Sequence, residues 1–132
     1  MANVVWSNAS LTTGPKLVHQ SGVFTSVVKS SVSVGGIDLS PRGVSFDDTN
    51  TPWCGETDDK LYLQSGLLST TVKTSLSLGA NSRPTGISWD GVNTPVVRGH
   101  IDKLLLHSGQ FTATVKPSLV FGGLPHGTSF DG

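Results

Sequence analysis

A motif that occurs three times constrains what this chain can fold into. Lys-Leu-x-x-x-Ser-Gly occupies residues 16–22, 60–66 and 103–109, and a lysine follows each of its glycines by seven residues. A second motif, Pro-x-Gly-x-Ser-Phe/Trp-Asp, occupies residues 41–47, 84–90 and 125–131. The lysines that open the first motif lie 44 and then 43 residues apart, a period typical of repeat architectures. We therefore interpret residues 1–132 as a single repeat domain, with repeats at approximately 2–48, 49–91 and 92–132.

The first half of each repeat predicts two short strands joined by a tight turn. Residues 86–89 alternate apolar and polar side chains, as a strand does, and the Asp90-Gly91 pair that follows is favoured in hairpin turns. The next strand contains Pro52 in one repeat and Pro95 in another. Because proline lacks an N–H group, we expect it to mark the start of a strand or to occupy an edge position.

The second half of each repeat predicts two further strands. Residues 60–64 are apolar on both faces, which indicates a strand covered on both sides. Residues 24–34 alternate cleanly, which predicts a strand with one buried and one exposed face. The lysines that recur in this strand, Lys29, Lys73 and Lys116, are of the type that natural sheets place on exposed edges. No segment has a sustained helical period, so we predict an all-β protein.

Two kinds of architecture accommodate three repeats of this length. Four short antiparallel strands in about 40–45 residues are typical of a β-propeller blade. A β-trefoil or a three-sided β-prism is the alternative, and each of these would close within one chain as a monomer. The doubly covered third strand and the lysine-marked outer strand favour propeller blades, because the central strands of a blade lie between neighbouring blades.

The repeat also resembles a known sequence pattern. Residues 84–91, followed by strands of the Trp53 and Lys60-Leu61-Tyr62 types, resemble the P-x-G-I-x-x-D-G … W … K-L-Y pattern of repeat β-propeller families. The resemblance extends over the whole chain, three times over, and it implies three four-stranded blades. Its motifs are structural, so it implies a fold rather than an activity. The Gly-His pair that accompanies Trp-Asp in WD40 repeats is missing from the expected place.

Three blades predict a partner. The sequence begins just before a second strand and stops just after a first strand, so the ends of two chains would complete one blade between them. Propeller rings contain about four to eight blades, so we expect the ring to be closed by oligomerisation. A homodimer with six blades is the favoured assembly, and a homotrimer with nine blades is the second.

Composition excludes several other classes of partner. Charged residues make up 14% of the chain and the formal net charge is zero, so no basic patch predicts nucleic-acid binding. No apolar run approaches the length of a membrane span, and the N-terminus lacks the pattern of a secretion signal. Cys54 is the single cysteine, which is compatible with the cytoplasm but does not establish a compartment.

The residues that could carry chemistry do not form a recognisable catalytic or metal-binding pattern. The four histidines occupy different repeat positions and lack metal-ligand spacing to one another or to Cys54. Glu56, Asp58 and Asp59 suggest calcium at first sight, but Asp59 also precedes a repeated lysine as an ordinary strand-start acid. No phosphate-binding loop or nucleophile elbow is present. We expect no cofactor, no metal and no enzymatic activity, and we interpret Cys54 as a small buried thiol.

The candidate binding residues are two tryptophans and the polar residues of variable loops. Trp6 and Trp53 occupy equivalent positions and could stack on sugar rings, although replacement by Val96 in the third repeat favours a packing role. The loop between the second and third strands, predicted at residues 7–15, 54–58 and 97–101, differs among the repeats, and its polar groups are Glu56, Arg98 and His100. We therefore predict a non-enzymatic propeller assembly with repeated pockets for glycans. The alternatives are a structural, designed or fragment-derived module without a ligand, and, with less support, an enzyme with a site in the channel.

Overall fold

The structure is a computed structural model, which describes residues 3–10, 12–21, 27–123 and 127–128. The described chain is almost entirely β, as the sequence predicts, with a single short 3-10 turn at Gly99–Ile101. The strands are β1 Asn3–Asn8, β2 Lys16–Ser21, β3 Val28–Ser33, β4 Pro41–Val44, β5 Asn50–Gly55, β6 Lys60–Ser65, β7 Val72–Ser77, β8 Pro84–Ile87, β9 Asn93–Arg98, β10 Lys103–Ser108 and β11 Val115–Val120.

The strands form three separate antiparallel sheets, each made of consecutive strands. The first sheet has the order β1-β2-β3, the second β4-β5-β6-β7 and the third β8-β9-β10-β11. Each sheet is therefore one structural repeat, and the first has three strands among the described residues where the others have four. The sheet boundaries fall just before Pro41 and Pro84, so β4 and β8 pair with the strands that follow them in the chain.

The repeated lysines lie on outer strands, as predicted. β3, β7 and β11 each form one edge of a sheet, and Lys29, Lys73 and Lys116 are all exposed. Each edge strand also carries a register irregularity next to its lysine. A charged side chain and a bulge both make an edge a poor template for pairing with another strand.

Two of these lysines also stabilise the sheet that carries them. The Lys73 ammonium donates to the Asn50 side-chain oxygen at 3.3 Å, and Lys116 donates to Asn93 at 2.9 Å. The two asparagines begin β5 and β9, so each lysine reaches across the middle strand of its sheet. The repetition of the lysine therefore has a second cause besides protection of the edge.

The turn between the first and second strands is held by an aspartate. Asp90 accepts hydrogen bonds from the backbone N–H groups of Val92 and Asn93. Gly91, which follows Asp90, has a φ of 91°. A positive φ costs glycine little because it has no Cβ atom, which explains the Asp-Gly pair in this turn. The hairpin predicted from this pair is confirmed, since β8 and β9 pair across it.

The predicted position of the prolines was wrong. Pro52 is the third residue of β5, and β5 lies inside its sheet between β4 and β6 rather than at an edge. The Pro52 carbonyl accepts a hydrogen bond from the Ser45 N–H at 2.9 Å, just beyond the end of β4. The nitrogen and carbonyl of one strand residue point to the same side, so the Pro52 nitrogen faces Ser45. Proline cannot donate the reciprocal bond of this pair, and β4 ends at Val44, the residue before it.

The middle sheet is covered on both faces. Trp53 and Tyr62 on one face pack in a cluster with Leu17 and Val32 of the first sheet. The Trp53 and Tyr62 rings stack with centroids 4.4 Å apart. On the opposite face, the middle sheet buries Cys54, Leu61 and Leu63. These side chains cluster with three residues of the third repeat, Ile87, Val96 and Phe111. The prediction that residues 60–64 are covered on both sides is confirmed.

The same faces meet at both contacts between sheets. We call the face that carries Leu17, Leu61 and Leu104 the leading face of its sheet, and the face that carries Trp6, Trp53 and Val96 the trailing face. The leading face of the first sheet packs on the trailing face of the second, and the leading face of the second packs on the trailing face of the third. The sheets therefore stack in chain order with one repeated mode of contact.

We expect Leu61→Ala to destabilise the protein far more than Leu39→Ala. Leu61 is fully buried between the second and third sheets, whereas Leu39 is 62% exposed. Truncation of a buried leucine to alanine costs about 2–5 kcal/mol, and a surface substitution changes the free energy of unfolding by roughly 0.5 kcal/mol or less. Urea denaturation followed by tryptophan fluorescence measures both values. Equal losses for the two variants would contradict the stacking of the sheets.

Candidate functional site

A cavity of about 300 Å³ lies beside the first strands of the sheets. Three groups of residues from consecutive repeats, together with two residues near the end of the described chain, form its walls: Val5, Trp6, Ser7, Arg42, Gly43, Val44, Thr85, Gly86, Ile87, Gly127 and Thr128. β4 and β8 contribute the same motif positions to it, so the cavity follows the repeat. The sequence analysis did not identify this cavity, although the shared Pro-x-Gly motif marks the strands that line it.

Glycine lets the first strands approach each other closely. A Cβ atom added to Gly43 would lie 2.7 Å from the Gly86 Cα atom, and one added to Gly86 would lie 2.9 Å from the Gly127 Cα atom. Real Cβ atoms do not approach backbone atoms this closely, so side chains at residues 43 and 86 would push the strands apart. The second residue after Pro41 and after Pro84 is therefore glycine because backbone packs directly on backbone.

Arg42 is the charged residue among these lining residues. Its Nε donates to a Glu56 carboxylate oxygen at 2.5 Å, and its backbone carbonyl accepts a hydrogen bond from the Ser7 hydroxyl. The Arg42 side chain is half exposed, so this ion pair contributes little to stability. The ion pair holds the Arg42 guanidinium in place at the cavity. It also engages the carboxylate of Glu56, one of the predicted binding residues.

The two predicted tryptophans have different environments. Trp53 is fully buried in the core and stacks on Tyr62, so its ring offers no face to a ligand. Trp6, at the equivalent position in the first sheet, is 37% exposed and lines the cavity. The packing role that the sequence favours therefore describes Trp53, and Trp6 is the tryptophan that a ligand could reach.

The polar groups of the variable loop do not converge on one point. Arg98 belongs to β9 and donates to the Ser82 hydroxyl in the connection between β7 and β8, whereas Glu56 pairs with Arg42 of β4. Burial lowers the pKa of Arg98, and the nearby Asp59 carboxylate opposes this effect. His100 is exposed in the 3-10 turn. Each group is thus associated with its own sheet.

Part of the predicted loop is strand. Cys54 and Gly55 belong to β5 and are buried, so the loop after β5 begins at Glu56. A Cβ atom on Gly55 would overlap the Asp38 carboxylate, which is itself buried and accepts the N–H groups of Ser40 and Asp58. Glycine at this position therefore makes room for the carboxylate that organises the turn.

Cys54 is a buried thiol, as predicted. The Gly43 N–H donates to its Sγ at 3.2 Å, and burial raises the pKa of the Cys54 thiol to about 12. Since the thiolate is the reactive form, this side chain is unsuited to nucleophilic chemistry near neutral pH.

The acidic residues near Glu56 serve turns and a tyrosine. Asp59 accepts the N–H groups of Asn81 at 2.7 Å and Arg83 at 2.6 Å, and Asp58 accepts the Tyr62 hydroxyl at 3.1 Å. Burial raises the pKa of Tyr62, and the Asp58 charge raises it further. Within the described ranges, no group of three or more His, Cys, Asp or Glu side chains is arranged to hold a metal ion. None of the described helical residues forms a segment long and apolar enough to cross a membrane.

His107 is a buried titratable residue that the sequence analysis did not single out. It lies in β10 opposite Thr94, and its Nδ1 is 3.0 Å from the Thr112 carbonyl oxygen. Its Nε2 is enclosed without a partner among the described residues. Burial lowers the pKa of His107, the Arg98 charge lowers it further, and the Thr112 hydrogen bond opposes both. Gln64 occupies the same position in the second sheet.

The chain was compared with protein-family models, curated proteins and solved structures. No protein-family model, curated protein or solved structure matches the chain.

We expect His107→Gln to remove part of the acid sensitivity of folding. The unfolded chain binds a proton at His107 near pH 6.5, whereas the folded chain resists protonation there. The associated stability is therefore present above about pH 6.5 and is lost as pH falls below it, by at most about 1.4 kcal/mol per pH unit. Urea denaturation between pH 7 and pH 5 should show a shallower decline for His107→Gln than for the wild type. Parallel pH profiles would show that His107 titrates freely in the folded protein.

Proposed function

We propose that this protein is a self-assembling β-repeat module whose copies associate head to tail into a closed propeller. One observation carries the proposal. Side-chain positions that are buried between sheets inside the chain are exposed on the two outer faces of the stack. The stack of three sheets therefore ends in a trailing face on the first sheet and a leading face on the third. These are the two kinds of face that pack on each other inside the chain.

The leading face of the third sheet is the first exposed half. Val34 packs in the core between the first and second sheets, and Leu78 packs against the cluster between the second and third. Phe121 is the equivalent of Val34 and Leu78. In each of the three repeats, the backbone N–H of this residue donates to the carbonyl just before the lysine that begins the Lys-Leu motif, which is the carbonyl of Pro15, Asp59 or Asp102. Phe121 is 37% exposed, and Leu119, which corresponds to the buried Val32, is 56% exposed.

The trailing face of the first sheet is the complementary half. Trp53 and Val96 are fully buried where their sheets meet the preceding one, whereas their equivalent Trp6 is partly exposed. Val18 and Val97 on the two outer faces are covered, so the exposed apolar surface is concentrated at Trp6 and Val28 on one face and at Leu119 and Phe121 on the other. Burial of a large apolar side chain contributes about 1.5–3 kcal/mol, which favours contact between these faces.

A leading face on a trailing face is a heterologous contact, and such contacts give rings when the rotation closes. Two copies supply six sheets, within the range of about four to eight blades in known propellers. Three copies would supply nine and form the second candidate assembly. The convergence of β4, β8 and residue 127 through their glycines supports the blade arrangement, because the first strands of blades line the centre of a propeller.

Glycan binding is a second candidate function, and the environment of Trp6 favours it. Trp6 is partly exposed at the cavity beside Ser7 and Arg42, and a ring face next to a hydroxyl acceptor and a guanidinium donor suits a sugar. The two candidates place different demands on Trp6, because a second copy would cover the face on which a sugar would stack. Fluorescence titration of the wild type with monosaccharides, with Trp6→Phe as the control, tests glycan binding. A saturable change that Trp6→Phe abolishes would support it, and an unchanged spectrum would argue against it.

We expect Leu119→Asp to dissociate the assembly and leave the folded chain intact. Leu119 is exposed in one copy, so the substitution does not disturb that copy, but it would place a charge in the contact between copies. Val92→Asp is the matched control, since Val92 is 65% exposed in the turn before β9 and away from the leading face. Sedimentation velocity measures the mass of each variant. An unchanged mass for Leu119→Asp would exclude the leading face from the contact.

A further inference from the structure

Gly127 has no evident reason to be glycine within one chain. It is the third member of the series formed by Gly43 and Gly86 in the Pro-x-Gly motif. The first two members must be glycine because a Cβ atom would strike the backbone of the next first strand, at 2.7 Å and 2.9 Å. A Cβ atom on Gly127 would meet no described atom within 4 Å.

Backbone conformation does not require glycine at these positions either. None of the three residues has a φ in the left-handed region, so alanine could adopt the same backbone at each of them. At Gly43 and Gly86 the close approach of another strand is therefore the sole steric requirement seen. Gly127 is exposed, and the corresponding space beside it is open among the described residues.

We propose that Gly127 of one copy packs directly on the backbone at Gly43 of a second copy. Within one chain, Gly43 packs on the backbone of Gly86, and Gly86 packs on the backbone of Gly127. In the assembly, Gly127 would pack in the same way on the backbone of Gly43 of the second copy. The series of backbone contacts would continue around the ring without a change of spacing. This inference rests on the proposed assembly and adds to it a specific joint that differs from the apolar contact between sheet faces.

The surroundings of Gly43 suit this contact. Gly43 is partly exposed, and with Arg42 and Val44 it forms a wall of the 300 Å³ cavity. β1 forms another wall through Val5, Trp6 and Ser7. The first sheet has no described strand on the far side of β1, where β4 and β8 lie in the other two sheets. The backbone of a second copy could therefore reach both Gly43 and the side of β1 on which no described strand lies.

The joint makes two predictions about alanine substitutions. Gly127→Ala should leave the isolated chain folded and weaken association, because its methyl group meets an obstacle in the assembly alone. Gly86→Ala should destabilise the isolated chain, because its methyl group meets residue 127 of the same copy. Gly36→Ala is the control, since Gly36 is exposed, has no neighbour within 4 Å of an added Cβ atom and lacks a left-handed φ.

Sedimentation equilibrium and urea denaturation of dilute protein provide the test. We expect Gly127→Ala to raise the dissociation constant by about tenfold or more, as expected for overpacking at a close contact, while its unfolding midpoint at low concentration matches that of Gly36→Ala. Association equal to that of the wild type would overturn the joint and leave the proposed assembly standing. Loss of stability in dilute Gly127→Ala would also overturn it, because glycine would then be required within one chain. A wild type that does not associate would refute the assembly itself.

Discussion

The structure depends on the fact that each sheet needs a neighbour on both faces. The middle sheet shows this need satisfied, with Trp53 and Tyr62 buried on one side and Leu61 and Leu63 on the other. A four-stranded sheet of this size has no core of its own, so its stability comes from burial against adjacent sheets. The outer sheets have the same side-chain pattern, and each leaves apolar side chains of its outer face exposed, Trp6 in the first sheet and Leu119 and Phe121 in the third. We propose self-association on this ground, since a second copy would offer the face that each outer sheet lacks.

A second constraint sets how closely the sheets approach. At the cavity, backbone packs on backbone through Gly43 and Gly86 of the first strands, whereas on the strands that follow large side chains such as Trp53 and Tyr62 separate the sheets. Sheets that are close at one edge and wider apart at the other fan out around an axis. This taper explains why a glycine recurs in the first strand of each repeat and bulky residues recur in the second and third. The same taper is what the proposed ring would require.

The sequence predicts the repeated features well because the same residues recur under the same constraint. The all-β class, the doubly covered strand at residues 60–64 and the exposed edge lysines all follow from alternation and from the period. Single positions were harder to predict. Pro52 lies inside a sheet because its nitrogen falls opposite Ser45, where β4 has just ended, and strand length is not visible in the sequence. Trp53 and Trp6 occupy the same repeat position, and their different exposure depends on which sheet has a neighbour. The cavity joins residues from separate repeats, so no local pattern indicates it.

The mass of the wild-type protein in solution tests the central claim most directly. Native mass spectrometry over a range of concentrations distinguishes a chain whose outer faces are paired from one that tolerates their exposure. We predict a species of twice the chain mass of 13.8 kDa, which would correspond to six stacked sheets in a closed ring. A folded monomer of 13.8 kDa that persists at the highest concentration would contradict the account, because the exposed faces would then need no partner.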